Sequence, residues 1–315
     1  MSRVRTFSQQ ASNGEWAARR TREIEEWTNL FVIHPLSLAG ARFFARFGVH
    51  PNAVSLSGMV CGVGAGVAYH HYDLLSGTLF GFGLMVGWHV LDGADGQVAR
   101  LTGRSSELGK ILDGFSDHVA FAAVYLGLAT SLFPTMGWWA WLLAVGAGVS
   151  HFLQSTAYEF QRQAYDYWGR GKMASRPETP HAYEPRLARM SGVQRMFGRL
   201  HLAYLRVQRR VVVLDSQFEA TLEKRLRAAP EEDPVRTLYR QANADLVRRW
   251  SILCSNYRTI AIFLACLLAQ PVAFFLFEVV VLNAALLALS RMQRKRHRLL
   301  SDRLAVRPAE EVLAW

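Results

Sequence analysis

Between Pro51 and Ala99 the chain carries no Lys or Arg, and so long a stretch of apolar residues without a positive charge has few places to go. A bilayer crossing takes about 20 apolar residues, so this stretch holds two. Their limits read as Ala53 to His70 and Leu74 to Leu91, joined by the short polar link His71, Tyr72 and Asp73. A helical hairpin follows. A second hairpin is expected from Asp113 to Phe133 and from Trp138 to Thr156, with the Pro- and Gly-containing Phe133 to Gly137 as its turn. Trp138, Trp139 and Trp141 stand beside that turn, where indole rings favour the water interface. A third hairpin runs from Thr259 to Leu268 and from Pro271 to Ser290, its first limb short unless Trp250 to Arg258 forms its start. Six spans result, and the fold class expected is an all-α integral membrane protein.

Composition agrees. Lys and Arg number 36 against 25 Asp and Glu, a net charge of +11, while 51% of residues are hydrophobic and 19% charged, below the roughly 25% charged of a soluble domain. That excludes a disordered chain. The basic residues lie in blocks around uncharged stretches, unlike the spread of a nucleic-acid binder, so no nucleic-acid partner is expected. The three expected turns lack Lys and Arg, whereas the N-terminus, the Arg100 to Lys110 link, the segment after Arg162 and the Arg291 to Arg296 tail are basic. Both termini are therefore expected in the cytoplasm. Met1 to Trp27 is polar, so no removable signal peptide is expected. Cys61, Cys254 and Cys266 sit in or beside apolar runs without the spacing of a zinc site.

The chain divides into residues 1–50, a cytoplasmic N-terminus; 51–156, four membrane helices; 157–250, a basic cytoplasmic insert; 251–291, two further membrane helices; and 292–315, a basic tail. Glu23 to Gly48 mixes charges with Leu30, Phe31, Val32, Phe43 and Phe44, which suits an amphipathic helix lying at the interface. The insert shows helical patterning at Ser191 to Arg210 and Asp215 to Arg227. Anionic-lipid binding, a solvated face, or a lid all fit it.

The strongest signal is acidic. If the second span continues as a helix past Leu91, then Asp92, Asp95, Gly96, Ala99 and Arg100 share one face, and Gly109, Asp113 and Asp117, spaced by four, share another at the start of the third span. Four carboxylates then aim at one point at the membrane edge, where burying them unpaired is costly. Oxygen ligands without Cys or required His favour a hard ion such as Mg²⁺ or Mn²⁺. Two such ions can clamp a diphosphate during phosphoryl transfer.

Asp92-x-x-Asp95-Gly96-x-x-Ala99-Arg100, then eight residues, then Gly109-x-x-x-Asp113-x-x-x-Asp117 resembles the full signature of the CDP-alcohol phosphotransferase family. The resemblance covers Phe31 to Thr156 well, Ser251 to Ser290 loosely and the insert not at all. It implies transfer of a phosphoalcohol from a CDP-alcohol donor, CDP-diacylglycerol above all, to an acceptor hydroxyl with release of CMP. It also implies that Asp92, Asp95 and Asp113 hold two divalent cations, Mg²⁺ or Mn²⁺, and that Asp117 is the general base and a further metal contact. Gly96, Ala99 and Gly109 would keep bulk away from the cytidine, and Arg100 would pair with the diphosphate or an aspartate. Asn52, in His50-Pro51-Asn52, resembles the family's Pro-Asn opening of the first span beside the nucleotide pocket; a helix cap explains it equally well. A homodimer follows from the resemblance alone, and a bacterial inner membrane is the expected location.

Arg162 is a candidate to meet an anionic acceptor or the donor phosphate, against a plain interfacial helix end; Arg258, with Asn256, poses the same question at the fifth span. His89 and His118 read as satisfied polar contacts, and Glu278 as protonated or paired within the bundle. Three other functions stand beside the phosphatidyltransferase: transfer of CDP-linked choline or ethanolamine to a lipid hydroxyl, a cation transporter, and an inactive membrane scaffold. Carboxylates gathered at one membrane edge, with no inverted repeat, speak against transport.

Overall fold

Proline opens four of the described helices, and glycine closes one of the longest. The computed structural model describes residue 21 and residues 23–104, 107–212, 216–226 and 233–306, and all its regular elements are helical. After a π-helical turn at Asn29–Ile33 come α1 (His34–Arg46), α2 (Pro51–His70), α3 (Leu75–Thr102), α4 (Glu107–Met136) and α5 (Trp138–Ala164). Then follow α6 (Pro180–Ala188), α7 (Gly192–Val212), α8 (Ser216–Leu226), α9 (Pro234–Trp250), α10 (Ser255–Leu267), α11 (Pro271–Leu276) and α12 (Leu282–Val306). Pro51, Pro180, Pro234 and Pro271 stand at the first helical position, where a missing N–H costs nothing. Gly103, at φ 66°, stops α3 with its N–H on Ala99 O.

Among the described residues, four helical stretches are long and apolar enough to cross a membrane: Pro51–His70, Ser116–Met136, Pro234–Leu267 and Pro271–Leu304. The chain is a multi-pass membrane protein. The sequence reading expected six spans. The other two, on α3 and α5, fall outside this set because Gly, Trp, His and carboxylate residues dilute their apolar runs. The second expected turn is tighter than Phe133 to Gly137: α4 runs on to Met136 with Pro134 inside it, leaving Gly137 to reverse the chain. The start left open for the fifth span does form, since α9 passes through a 3₁₀ turn at Ser251–Leu253 into α10.

Between apolar helices no hydrophobic force selects partners, so close packing does. Helices α2 and α4 meet backbone to backbone: a Cβ on Gly66 would lie 2.4 Å from Ala123 O, and one on Gly127 2.0 Å from Gly66 O. Around this seam Tyr69, Met85, Trp88, Phe121, Tyr125, Phe274 and Phe275 form the main core. Helix α1 buries Ser37 and Ala41 and leaves Leu36, Phe43 and neighbouring Phe47 exposed, the pattern expected of an interfacial helix. Ser37 Oγ donates to Val90 O at 2.9 Å, pinning α1 across α3.

A buried ion pair joins the C-terminal helices to α5. Arg258 Nε lies 3.0 and 3.1 Å from the two Glu278 carboxylate oxygens, with both side chains fully buried. Its Nη atoms donate to Leu253 O and, at 2.5 Å, to Gln154 Oε1. Glu278 sits in a π-helical turn, Phe277–Val281, between α11 and α12.

The segment from 157 to 250 is a packed body. Phe160, Tyr165, Trp168, Phe218, Leu222, Leu238 and Tyr239 form a second core with Leu300 and Leu304 of α12. Buried Arg236 holds it together by donating to Tyr167 O, Trp168 O and Leu226 O at 2.8, 3.0 and 2.6 Å. Helices α7 and α8 fall where patterning placed helices. The N-terminal segment binds both ends of this body: Tyr165 OH donates to Glu23 at 2.5 Å, Arg248 donates to Glu23 O at 2.6 Å, and Asn256 donates to Glu26 at 2.5 Å.

Gly66→Val is expected to force α2 from α4 and destabilise the fold by about 1–3 kcal/mol or more; thermal unfolding in detergent checks it. Arg258→Met strands a buried carboxylate and is expected to cost about 3–5 kcal/mol, whereas Arg258→Met with Glu278→Leu recovers much of that loss. The same unfolding measurement distinguishes the pair from two independent contributions.

Candidate active site

Helix α3 runs unbroken through Asp92, Asp95, Gly96, Ala99 and Arg100, and α4 carries Gly109, Asp113 and Asp117. Trp88 sets the register between them, its indole N–H donating to Ser116 Oγ at 3.0 Å and its ring meeting Phe121 edge-on. Asp92, one turn along α3 from Trp88, and Asp117, next to Ser116 on α4, both line a cavity of about 1070 Å³. The side chain of Asp113 lies outside the described ones.

Asp95 sits beneath this surface, 3% exposed. Ser55 Oγ of α2 donates to one of its oxygens and the Gly96 backbone N–H to the other. Such donors satisfy a buried carboxylate that would otherwise be costly. Gly96 leaves α3 bare except for the Arg100 guanidinium, 3.5 Å from where a Cβ would stand. Gly93 is the approach point of α1: a Cβ there would lie 2.5 Å from Ser37 Oγ. Gly109 and Ala99 are half-buried and Arg100 is exposed.

Of the remaining sequence candidates, the structure brings Arg162 to the cavity and leaves Arg258 out. Arg162 forks onto Glu159 at 2.9 and 2.6 Å, and Gln163 donates to the same carboxylate at 2.7 Å. Arg258 spends its donors on Glu278, Leu253 O and Gln154, deep in the bundle. Asn256 does line the cavity. Asn52 is not the cap of α2: His50 is, its ring Nδ1 accepting the Asn52 backbone N–H at 3.2 Å. His89 bonds Thr259 Oγ1 at 2.9 Å, a satisfied contact that also borders the cavity.

Sequence reasoning missed several residues here. Ser55 reads as one hydroxyl in an apolar helix, and Ser255, whose Oγ donates to Asp117 at 3.4 Å, as a helix start. Glu26 and Asn29 enter from the N-terminal segment, through contacts that no local pattern reveals. The largest omission is the far wall, made by α6 and α7 with Tyr183, His201 and Tyr204. The spacing of His201, Tyr204 and Gln208 by three and four does mark one face of a helix, but not what that face meets. Burial pushes the Tyr204 phenol up to about 12, and the charges of Glu159 and Asp117 add to the rise. It therefore stays protonated and able to donate.

Residues 48–176 match the family model described as CDP-alcohol phosphatidyltransferase. That segment is a CDP-alcohol phosphatidyltransferase domain. Domains of this family transfer a phosphoalcohol from a CDP-alcohol to an alcohol, in phospholipid synthesis, and use divalent metal ions. The match takes in α2 to α5 and ends before α6, so the last membrane helices and most of the far wall lie outside it. Among curated proteins and solved structures, none matches the chain.

The donor set suits a hard cation: carboxylate oxygens of Asp92 and Asp117 border one cavity and Asp95 stands one turn along α3. Among the described residues no three His, Cys, Asp or Glu side chains converge on one point. Ser55→Ala removes a donor to Asp95 and is expected to weaken Mg²⁺-dependent binding of a cytidine nucleotide roughly tenfold. Titration calorimetry reads this directly, and unchanged affinity would show that the orientation of Asp95 does not matter to the site.

Proposed function

We propose that the protein is a phosphatidyltransferase that moves a phosphatidyl group from CDP-diacylglycerol to an acceptor hydroxyl and releases CMP. The observation that carries this reading is the meeting of Asp92 and Asp117, from two helices of the matched domain, at one cavity. Asp92, Asp95 and Asp113, with Asp117 as a further contact, would hold two divalent cations, Mg²⁺ or Mn²⁺. When bound, these ions neutralise the donor diphosphate and polarise its phosphoryl oxygens.

The protein's own groups do the rest. Asp117 takes the proton of the acceptor hydroxyl as its oxygen bonds to the phosphatidyl phosphorus and the bond to the CMP oxygen breaks. Ser255 donates to Asp117 Oδ2 and steadies that carboxylate for the transfer. Gly96, Ala99 and Gly109 give the cytidine room along the helices, Arg100 pairs with the diphosphate, and Asn52 stands at the nucleotide side. We infer six membrane helices, α3 and α5 among them, with this site and both termini at the cytoplasmic face of a bacterial inner membrane, in a homodimer. The exposed apolar face of α1 supports the interfacial placement.

CMP release by the purified protein in liposomes tests the reading, with CDP-diacylglycerol and then CDP-choline offered against a panel of alcohols. Release is expected to need divalent metal and to vanish with chelator, and Asp117→Asn is expected to lower it about 10²- to 10⁴-fold. Release from CDP-choline with a diacylglycerol acceptor would reverse the donor assignment. No release from any pair would remove the enzyme reading and bring transport forward.

A further inference from the structure

The wall facing Asp117 comes mostly from outside the family match, and it is continuous. Tyr183 of α6 meets His201 of α7 with ring centroids 4.8 Å apart, His201 stacks on Tyr204 at 6.0 Å, Tyr204 meets Phe152 of α5 edge-on at 5.9 Å, and Phe152 meets His118 at 5.3 Å. His118 is the residue after Asp117. An aromatic ladder thus runs from α6 to the carboxylate, and every rung borders the cavity.

The charges on this wall are spent on one another. Among the described residues lining the cavity, Arg162 holds Glu159, Arg186 holds Glu178 at 2.6 Å with His201 on the same carboxylate at 3.1 Å, and Arg176 holds Glu223 at 2.6 Å. A phosphorylated acceptor would have to strip an arginine from its carboxylate, and an amino alcohol would have to strip a carboxylate from its arginine. What remains is neutral hydrogen-bonding capacity beside flat rings. Tyr204 OH accepts from Gln208 at 3.3 Å and also bonds Thr156, another cavity residue; a hydroxyl both donates and accepts, so it can trade the threonine for a hydroxyl of the acceptor.

We propose that α6 and α7 form the acceptor-binding wall and select an uncharged polyol, with Tyr204 hydrogen-bonded to one of its hydroxyls and the ladder packed against its C–H face. This rests on the transferase reading above. It also gives the insert one task, that of choosing the alcohol.

The test is steady-state CMP release by the full-length protein in liposomes with CDP-diacylglycerol and Mg²⁺, comparing myo-inositol and glycerol with glycerol 3-phosphate, serine and ethanolamine. An uncharged polyol is expected to be the preferred acceptor. Tyr204→Phe keeps the ladder and loses one hydrogen bond, so the KM for that polyol is expected to rise roughly three- to tenfold while the KM for CDP-diacylglycerol and the unfolding temperature stay put. Preference for a charged acceptor, or a Tyr204→Phe enzyme whose two KM values move together, overturns the proposal and leaves the transferase standing. No CMP release with any acceptor overturns both.

Discussion

Everything at the candidate site hangs on how closely α2 approaches α4. With glycines at the seam the two backbones touch, and that contact fixes two polar events at its end. Ser55, on α2, is brought under Asp95 of α3, while Asp117 of α4 is held about one turn from Ala120, the residue against which Gly62 packs. A side chain at the seam would alter the relation of the three helices and so that of their carboxylates. The same seam needs little besides dispersion and shape, because in lipid apolar side chains gain nothing from one another that lipid does not also offer. Trp88, bonded to Ser116, then acts as the spacer that keeps α3 and α4 in step.

How much of this was legible depends on the range of the interaction. The acidic motif reads from spacing because a helix turns three- and four-residue intervals into a face, and α3 does continue through it. Helices α7 and α8 read for the same reason. Arg258 illustrates the opposite case. A cation near hydrocarbon advertises function, yet its partner is Glu278, twenty positions away across a turn, and only the folded bundle shows that the two charges satisfy each other. Asn52 is similar: a Pro-Asn opening looks like a cap, but the preceding His50 supplies it. The far wall was illegible because its meaning lies in what α7 faces, and facing is a property of tertiary packing.

The segment that sequence set apart as an insert is continuous with its surroundings. Phe160 belongs both to α5 and to the second core, α12 ends in that core, and α9 passes into α10 by a single 3₁₀ turn. Its basic character is largely consumed in pairs with glutamates and in backbone contacts such as those of Arg236. A positive composition here therefore describes a scaffold stitched by ion pairs, each worth little when exposed, around a buried apolar centre that carries the stability.

The placement of Glu23 and Glu26 has a consequence for the order in which the molecule is made. Their partners Arg248 and Asn256 stand 225 and 230 positions further along the chain. Glu23 can meet Tyr165 once α5 has been made, but its contact with Arg248 and that of Glu26 with Asn256 must wait for α9 and α10. The floor that Glu26 and Asn29 contribute to the cavity is thus closed last, after the helices bearing the carboxylates have had time to assemble. Contacts of such long sequence separation form late because their chain closure is repaid only once the rest is in place.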